Sequence, residues 1–380
     1  MESYLRDRNY LALYLNAICV QFASALMLSF IGAHLLLQGL PLYLVLLYFG
    51  LEFFARALFT PLGSLLTRRF GPKKAILISN GILVLYFVAL GMYATAPAIG
   101  FASFLLYALS RGIYHPVKHY LQAVFINNHT RGHFLTMEIV LTTICASLAV
   151  GFATYSVTVW HSFMPVAALA AVFLTAASLA ILRLLGDLPH VATGSLRHVF
   201  KRFFAQEFRR DFQAFVGFSW PMAFNNVVVA LLVYFVVESL QLFGIIMISV
   251  LMAQMIFTLI YGLFTDKNRI KSNELASGLS IGGHLAFLLA STPLLVAGIK
   301  AVYDTLWNSF DSSFTARFHE KIKHKGLVYA CMKEMSIGIG AASFCFLLAT
   351  VAWLWQAGTF TVAIGVACLG IIIAWKQFKD

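Results

Sequence analysis

Charged residues are scarce in this sequence. Asp, Glu, Lys and Arg make up 11% of the 380 residues, whereas a soluble globular protein has about 25%. A chain with so few charges and 61% hydrophobic residues cannot cover its own surface with polar groups in water. The composition therefore excludes an ordinary soluble domain and predicts a protein whose solvent is largely lipid.

Cysteine and the common catalytic motifs are also sparse. The five cysteines lie inside or beside apolar runs and show neither paired nor metal-ligand spacing, so we interpret them as small hydrophobic residues. The sequence contains no Walker loop, nucleophile elbow, HExxH motif or redox-cofactor pair. We therefore expect no enzymatic activity, no catalytic residues, no cofactor and no resident metal.

Acidic residues are fewer than basic ones, which leaves a formal net charge of +12. Basic residues indicate nucleic-acid binding when they form one face, but here they fall in short clusters between apolar runs. That arrangement is typical of loops that face anionic lipid. We therefore expect membrane lipid as a partner, no nucleic acid, and a monomeric chain.

Long apolar runs dominate the sequence and predict an all-α integral membrane protein. Each run has about 20 residues or more, enough to cross a hydrocarbon core of about 30 Å. The first run begins near Tyr10 and is too long for a signal peptide, so we expect it to be retained. The twelve predicted spans are 10–36, 41–66, 74–95, 98–120, 134–158, 162–185, 211–237, 241–264, 273–297, 299–318, 327–353 and 357–376.

The connections between spans alternate in charge. One set contains clusters of Lys and Arg, while the other set contains none except Lys300 near position 298. Both ends of the chain also carry cations. By the positive-inside rule, this asymmetry predicts cytoplasmic basic loops and two cytoplasmic termini. The membrane that we expect is a plasma membrane of the bacterial inner-membrane type.

The basic loop between the second and third spans carries the first resemblance to a known family. It is similar to the signature Gly-x-x-x-Asp-Arg/Lys-x-Gly-Arg-Arg/Lys of the major facilitator superfamily. Arg69, Gly71 and Lys73 match that signature. Ser64 replaces its first glycine, with a glycine one residue earlier, and Arg68 stands where the acid should be.

A second copy of the signature lies about half a chain length later. It reads Gly-Leu-Phe-Thr-Asp-Lys-Asn-Arg and keeps the acid as Asp266, beside Lys267. A half-length repeat of this kind is how the superfamily is built, from two pseudo-symmetric six-helix bundles. The resemblance implies an N-terminal bundle over 1–185, a cytoplasmic linker with an amphipathic basic segment over 186–210, and a C-terminal bundle over 211–380.

The resemblance also implies a cytoplasmic gate. In the family, the acid of the first signature loop closes the inward face against helix 11. Because the charge is reversed here, we expect Arg68 to engage Glu334 or Glu320, while Asp266 keeps the family arrangement near Arg131. The expected gate residues are Arg68, Arg69, Asp266, Lys267, Arg131, Glu138 and Glu334.

Two N-terminal spans carry charges at bilayer depth, where charges are costly and usually face a cavity or a partner. Glu52 and Arg56 of the second span are spaced i, i+4 and either neutralise each other or turn to a cavity. In the fourth span, Arg111 resembles an arginine that often lines the central cavity of the superfamily. His115 of the same face is either a satisfied polar residue or a proton carrier.

Two C-terminal spans carry further polar residues. Pro221 follows Trp220 in the seventh span and predicts a break there, which leaves carbonyl groups and the amides of Asn225 and Asn226 to bind a polar substrate. The alternative is hydrogen bonding between helices. A polar stripe in the tenth span predicts an aqueous cavity and comprises Asp304, Trp307, Asn308 and Asp311.

The resemblance implies a secondary transporter that works by alternating access around a central site. Arg56, Arg111 and His115 favour a small organic anion moved together with protons. Asp304 and Asp311 favour either a cation or proton coupling, so a metal-ion or cationic exporter is one alternative. A lipid-like solute, and a membrane receptor or enzyme, are the others. In the expected mechanism, Arg111 and Asp304 neutralise each other across the empty cavity, and a bound anion leaves Asp304 to take a proton.

Overall fold

The structure of the chain is a computed structural model that describes residues 8–92, 96–126, 131–160, 164–183, 195–237, 239–265 and 269–378. Side chains are described throughout these ranges except at 8, 27–30, 131–133, 135–136, 240, 256–265, 269–276, 309, 312–313, 316–317 and 378.

Twelve long helices form the described part of the chain, and the predicted all-α membrane fold is confirmed. A short helix, Pro97–Ala102, leads into the fourth, and a π-helical turn, Phe224–Val228, interrupts the seventh. The helices are α1 (Arg8–Leu37), α2 (Leu42–Phe70), α3 (Pro72–Gly91), α4 (Phe104–Phe125), α5 (Arg131–Val159), α6 (Met164–Leu182), α7 (Arg209–Ala223 and Val229–Val237), α8 (Leu240–Thr265), α9 (Arg269–Ala286), α10 and α11 (within Pro293–Leu354) and α12 (Thr359–Phe378).

A single glycine separates α10 from α11. Gly326 has φ 74° and ψ −166°, a backbone conformation that residues with a Cβ rarely adopt. The chain is helical on both sides, so α10 covers 293–325 and α11 covers 327–354. The predicted tenth span, 299–318, was therefore too short at both ends, because the lysines after it continue the helix rather than break it.

Apolar composition does not identify every helix as a membrane span. Among the described residues, eight helices are long and apolar enough to cross a membrane, and two shorter apolar stretches lie in α8 and α9. Neither α4 nor the first part of α10, before Phe318, is among these eight helices. Both carry charged side chains in their middle turns, which lowers their hydropathy and marks them as the helices that surround something wet.

The two halves of the chain pack together along α2. A Cβ on Gly112 of α4 would lie 3.0 Å from the backbone nitrogen of Thr60 and 3.1 Å from the carbonyl oxygen of Arg56, so only a glycine lets α4 approach α2 this closely. On its other side α2 contacts α11. A Cβ on Gly338 of α11 would lie 2.9 Å from the Cβ of Ala57. Residues of α2 therefore stand between the two halves.

A short amphipathic helix, Leu196–Phe203, precedes α7 and contacts both α2 and the α10–α11 run. Ser195 caps its first turn, since the Ser195 hydroxyl accepts a hydrogen bond from the His198 backbone amide. Val199 and Phe203 are buried, whereas the basic side chains are exposed. This helix lies where the linker is predicted. The division into bundles over 1–185 and 211–380 stays a prediction.

Successive helices run in opposite directions, so their ends lie on two faces of the molecule. We call the one at which α1 begins the basic face, because Arg68 and Arg69 at the end of α2 and the basic residues of the short amphipathic helix lie there. The other is called the opposite face and carries the turn between α11 and α12.

We expect the basic face to be cytoplasmic. Arg68→Cys lies on the basic face and Trp355→Cys on the opposite face, and both native side chains are exposed. A membrane-impermeant maleimide applied to intact cells should label Trp355→Cys only, and should label both variants after permeabilisation. The unmodified chain supplies the background from the five native cysteines. Labelling of Arg68→Cys alone in intact cells would reverse the orientation.

Candidate functional site

A cavity of about 570 Å³ lies between the two halves of the chain. Its walls come from α1, α2, α4 and α5 on one side and from α7, α8, α10 and α11 on the other. The cavity-lining residues include ten of the eleven residues expected at the central site: Glu52, Arg56, Arg111, His115, Asn225, Asn226, Asp304, Trp307, Asn308 and Asp311.

Trp220 is the expected site residue that lies elsewhere. Its indole Nε1 donates a hydrogen bond to the Ser343 hydroxyl of α11 at 3.2 Å, and the residue is not among those that line the cavity. Helical periodicity explains the difference, because Phe218 and Met222, two residues on either side of Trp220, line the cavity and Trp220 lies on another face of α7. The π-helical turn begins three residues after Pro221, which has no N–H to donate, and it lies where Asn225 and Asn226 line the cavity.

The N-terminal wall of the cavity holds two arginines and one acid. Glu52 and Arg56 come from α2 and Arg111 from α4, and all three are buried. Although Glu52 and Arg56 are one helical turn apart, they form no ion pair with each other or with any other described side chain. Together these three side chains therefore give the N-terminal wall one excess positive charge.

Aromatic rings and a hydroxyl position Arg111. Its guanidinium donates a hydrogen bond to the Ser24 hydroxyl of α1. The guanidinium carbon also lies 5.2 Å from the ring centroid of Tyr107 and 5.7 Å from that of Tyr114, one turn before and about one turn after Arg111 in α4. These contacts hold the cation at the wall without neutralising it.

Several buried polar atoms of the cavity wall have no hydrogen-bond partner in the part of the chain that the structure describes. Leaving a buried donor or acceptor unsatisfied costs about 1–3 kcal/mol, so such atoms indicate that something else occupies the site. Their balance differs between the halves: two guanidinium donors and one carboxylate acceptor belong to α2 and α4, whereas two acceptors and one amide donor belong to α7 and α10. The atoms are Glu52 Oε1, Arg56 Nε, Arg111 Nε, Asn225 Oδ1, Asp304 Oδ1 and Asn308 Nδ2.

Lys300 and Asp304 form a buried ion pair within α10. The Lys300 ammonium lies 2.7 Å from Asp304 Oδ2, and the two side chains are 6% and 5% exposed. Lys300 was not expected at the site, because its charge suggested a loop near position 298. Since α10 begins at Pro293, Lys300 lies two turns inside the helix and lines the cavity.

The expected pair between Arg111 and Asp304 is wrong for this structure. The helices α4 and α10 run in the same direction and meet where His119 Nδ1 lies 2.9 Å from His319 Nε2. Counted back from that contact, Asp311 is at the same height as Arg111, about 12 Å above the histidines. Asp304 lies two turns farther toward the opposite face, where Lys300 neutralises it.

A second set of charges lies in the cavity wall near the basic face. Glu334 Oε1 of α11 lies 3.4 Å from His119 Nε2 and 3.4 Å from the Lys333 ammonium. The Lys333 ammonium is also 3.3 Å from His119 Nε2, and the rings of His115 and His119 stack at a centroid distance of 6.3 Å. This network joins α4 to α10 and α11 across the two halves.

Lys118 and Glu138 form a further ion pair near the basic face, inside the N-terminal half. The Lys118 ammonium of α4 lies 2.5 Å from Glu138 Oε1 of α5, and the Gln122 amide donates to Glu138 Oε2 at 2.5 Å. Glu138, one of the expected gate residues, therefore lines the cavity and is fully paired.

The expected gate pair between Arg68 and Glu334 is also wrong for this structure. Arg68 is exposed near the end of α2 and forms no ion pair with any described side chain, while Glu334 lies about two turns inside α11 in the cavity wall. Glu320 is exposed and is not paired with Arg68 either. Asp266, Lys267 and the side chain of Arg131 lie outside the described residues, and Arg69 is exposed over Phe70.

Charge is balanced over the cavity wall as a whole. The lining residues include five cations and five acids, and in the described part of the chain three acids are paired with lysines: Glu138, Asp304 and Glu334. The charged lining groups that form no ion pair with a described side chain are Arg56, Arg111 and Glu52 on the N-terminal wall and Asp311 on the C-terminal wall. Among the described residues, no group of three or more His, Cys, Asp or Glu side chains is arranged to hold a metal ion.

Solved membrane transporters resemble this structure over nearly the whole chain. The human organic anion transporter MFSD10 (TETRAN) has a TM-score of 0.70 and 14% sequence identity, covering 97% of this chain and 99% of that chain. A bacterial homologue of the iron transporter ferroportin, outward-facing, has a TM-score of 0.70 and 11% identity, covering 98% and 100%. FucP, a major facilitator superfamily transporter in the outward conformation, has a TM-score of 0.69 and 13% identity, covering 99% and 98%.

No protein family and no curated protein matches the sequence itself. The likeness therefore lies in the fold, and the resemblance first seen in the two signature loops is confirmed at that level. The chain is an integral, multi-pass membrane protein with the twelve-helix fold of major facilitator superfamily transporters.

Proposed function

We propose that this protein is a secondary active transporter that moves a small organic anion across the membrane together with a proton. The fold is one that transporters use, and the cavity lies between its two halves, where alternating access would expose it to each side in turn. The observation that carries the proposal is the pair of buried, unneutralised arginines on the N-terminal wall.

The arginines supply an anion subsite. Arg56 and Arg111 share one acid, Glu52, so a carboxylate or similar group bound between them would cancel the excess positive charge. Both guanidinium groups keep an unpartnered Nε–H for such a ligand. Arginine suits this role because its planar fork of donors matches a carboxylate and keeps its charge when buried.

The proton would go to Asp311. In the empty cavity the excess charge of the arginines and the carboxylate of Asp311 balance each other at the same height. An anion that neutralises the arginines leaves Asp311 as a buried charge without a counterion, which is costly at bilayer depth. Protonation of Asp311 removes that cost, so the substrate and the proton move together. Asp311 thereby takes the part first expected of Asp304, which Lys300 neutralises.

Contacts between the halves lie on both sides of the cavity and would open alternately. Near the basic face, His119 contacts His319, and the Cys331 thiol lies 3.8 Å from the Thr60 carbonyl oxygen. Toward the opposite face, Gly244 of α8 packs against Thr154 of α5. Separation of one set while the other remains would expose the cavity to one side only.

The proposal is tested by flux into proteoliposomes that contain the purified chain. A thermal-shift screen of organic acids, amines, sugars and metal ions selects the solutes to assay. We expect saturable uptake of an organic acid that accumulates when the side of addition is made acidic, and no uptake in protein-free liposomes. Accumulation of amines or metal ions only would favour the cationic alternative, and absence of flux for every bound solute would favour a receptor.

A further inference from the structure

We infer that Asp311 forms a second subsite, which binds the ammonium group of a zwitterionic substrate whose carboxylate lies between Arg56 and Arg111. The substrate class is then a small amino-carboxylate rather than an anion alone. This inference rests on the proposed transport function and specifies what the same cavity carries.

Asp311 is the one acid on the C-terminal wall that the described side chains leave without a cation. Its Oδ1 accepts a hydrogen bond from the Thr315 hydroxyl at 3.1 Å, one turn along α10, and it forms no ion pair with a described side chain. Thr315 is neutral, so the negative charge of Asp311 remains available to a ligand. An ammonium group has three hydrogen-bond donors and no acceptor, so it suits the Asp311 carboxylate, which only accepts hydrogen bonds.

The cations nearest to Asp311 are already committed to other acids. Lys118 of α4 lies 2.5 Å from Glu138, and Lys333 of α11 lies 3.4 Å from Glu334. Each of these lysines influences Asp311 electrostatically from its own helix, but each is neutralised locally by its partner. The histidines of α4 and α10 near the basic face are linked to each other and to Glu334.

The heights of the two subsites fit one small molecule. Arg111 and Asp311 each lie eight residues before the histidine at which α4 and α10 meet, so they face the cavity from opposite walls at one level. Both residues line the same cavity of about 570 Å³, a volume typical of sites for small metabolites. Asn225 Oδ1, from the π-helical turn of α7, is a further acceptor without a partner on the C-terminal side.

A zwitterion and a simple anion differ in the protons that they need. A simple carboxylate neutralises the arginines and leaves Asp311 to take a proton. A zwitterion neutralises the arginines with one end and Asp311 with the other, so no proton is required. The same cavity should therefore bind carboxylates with proton uptake and amino-carboxylates without it.

Isothermal titration of the purified full-length chain in two buffers of different ionisation enthalpy measures both affinity and proton uptake. The probes are linear ω-amino acids of three to eight carbons, the carboxylates in which a methyl group replaces the ammonium group, and the amines that lack the carboxylate. At the best chain length we expect the amino acid to bind at least about tenfold more tightly than its matched carboxylate. We expect about one proton per bound carboxylate and none per bound amino acid.

Asp311→Asn separates this inference from a general polar preference. It should bring the amino acid and the carboxylate to within about threefold of each other and should abolish proton uptake with the carboxylate. Glu207→Gln, an exposed acid next to the short amphipathic helix, should change neither result. Thermal unfolding and size-exclusion profiles of both variants show whether they are folded.

Four results would overturn the inference. One is a carboxylate that binds as tightly as the amino acid at every chain length. Another is an Asp311→Asn variant that keeps the full preference. If carboxylates bind and accumulate with protons while amino acids do neither, the zwitterion subsite is wrong and the proposed anion transport stands; if no probe of either class is bound or transported, both fail.

Discussion

Replacement of Lys300 by Met should destabilise the protein by about 3–5 kcal/mol, because it leaves Asp304 as a buried charge without its partner. Both side chains are almost completely buried, and among the described side chains Lys300 is the one cation that pairs with Asp304. Methionine keeps the length and apolar stem of lysine. Thermal unfolding of the detergent-solubilised chain measures the loss as a lower midpoint than that of the unmodified protein.

A double variant separates the charge from the packing. Lys300→Met combined with Asp304→Leu removes both charges and should recover most of the stability, since a buried ion pair can be replaced by apolar groups of similar volume with little loss. Lys321→Met is the matched control, because Lys321 pairs with Asp211 at 2.6 Å but is 37% exposed. It should cost about 1 kcal/mol or less. If Lys300→Met costs no more than Lys321→Met, the pair is not the buried contact described here.

Much of the fold and most of the site residues could be predicted from composition and local spacing. A polar residue at bilayer depth must face a cavity or a partner, so the stripes on the fourth and tenth spans predicted a cavity between them. Arg111 and Asp311 both line one. Pro221 likewise predicted a break, and the π-helical turn that follows it places Asn225 and Asn226 at the cavity.

Pairing could not be predicted, because it depends on register between helices that are far apart in the sequence. The contact between His119 and His319 fixes the position of α4 relative to α10 along the helix axes. The spacing of residues within each helix does not predict this contact. Lys300 was missed for a related reason: its charge pointed to a loop, whereas a partner one turn away lets it lie inside the helix. Asp304 was therefore assigned to Arg111 rather than to its own neighbour.

The gate was misplaced because depth along a helix decides which charges can meet. Arg68 is two residues from the end of α2, whereas Glu334 is eight residues past the turn at Gly326. Eight residues of helix rise about 12 Å, so Glu334 lies in the wall of the cavity while Arg68 is exposed at the basic face. Residues at matching positions of the two sequence halves are expected at equivalent places in the fold, but this match does not predict that residues of the two halves contact each other.

Arg111→Ala should weaken binding of any transported carboxylate by about 100-fold or more, because truncating one partner of a buried charge pair costs about 2–5 kcal/mol. The loss comes from the cation itself and from its alignment by Tyr107, Tyr114 and Ser24, which hold the guanidinium at the wall. Arg111→Lys should recover only part of the affinity, since an ammonium group cannot donate two parallel hydrogen bonds to a carboxylate. Titration with the solute found by screening measures the dissociation constants of the unmodified protein and of both variants.

Arg69→Ala is the matched control for this experiment. Arg69 also lies over an aromatic ring, at 5.2 Å from the centroid of Phe70, but it is exposed on the basic face outside the cavity. Its loss should leave the dissociation constant within about twofold, because an exposed charge at that distance from the site is screened by solvent and salt. Equal losses for both variants would mean that the arginines act through the overall charge of the protein. Full affinity in a folded Arg111→Ala variant would move the anion subsite away from α4 and leave Arg56 and Lys118 as the cations to test.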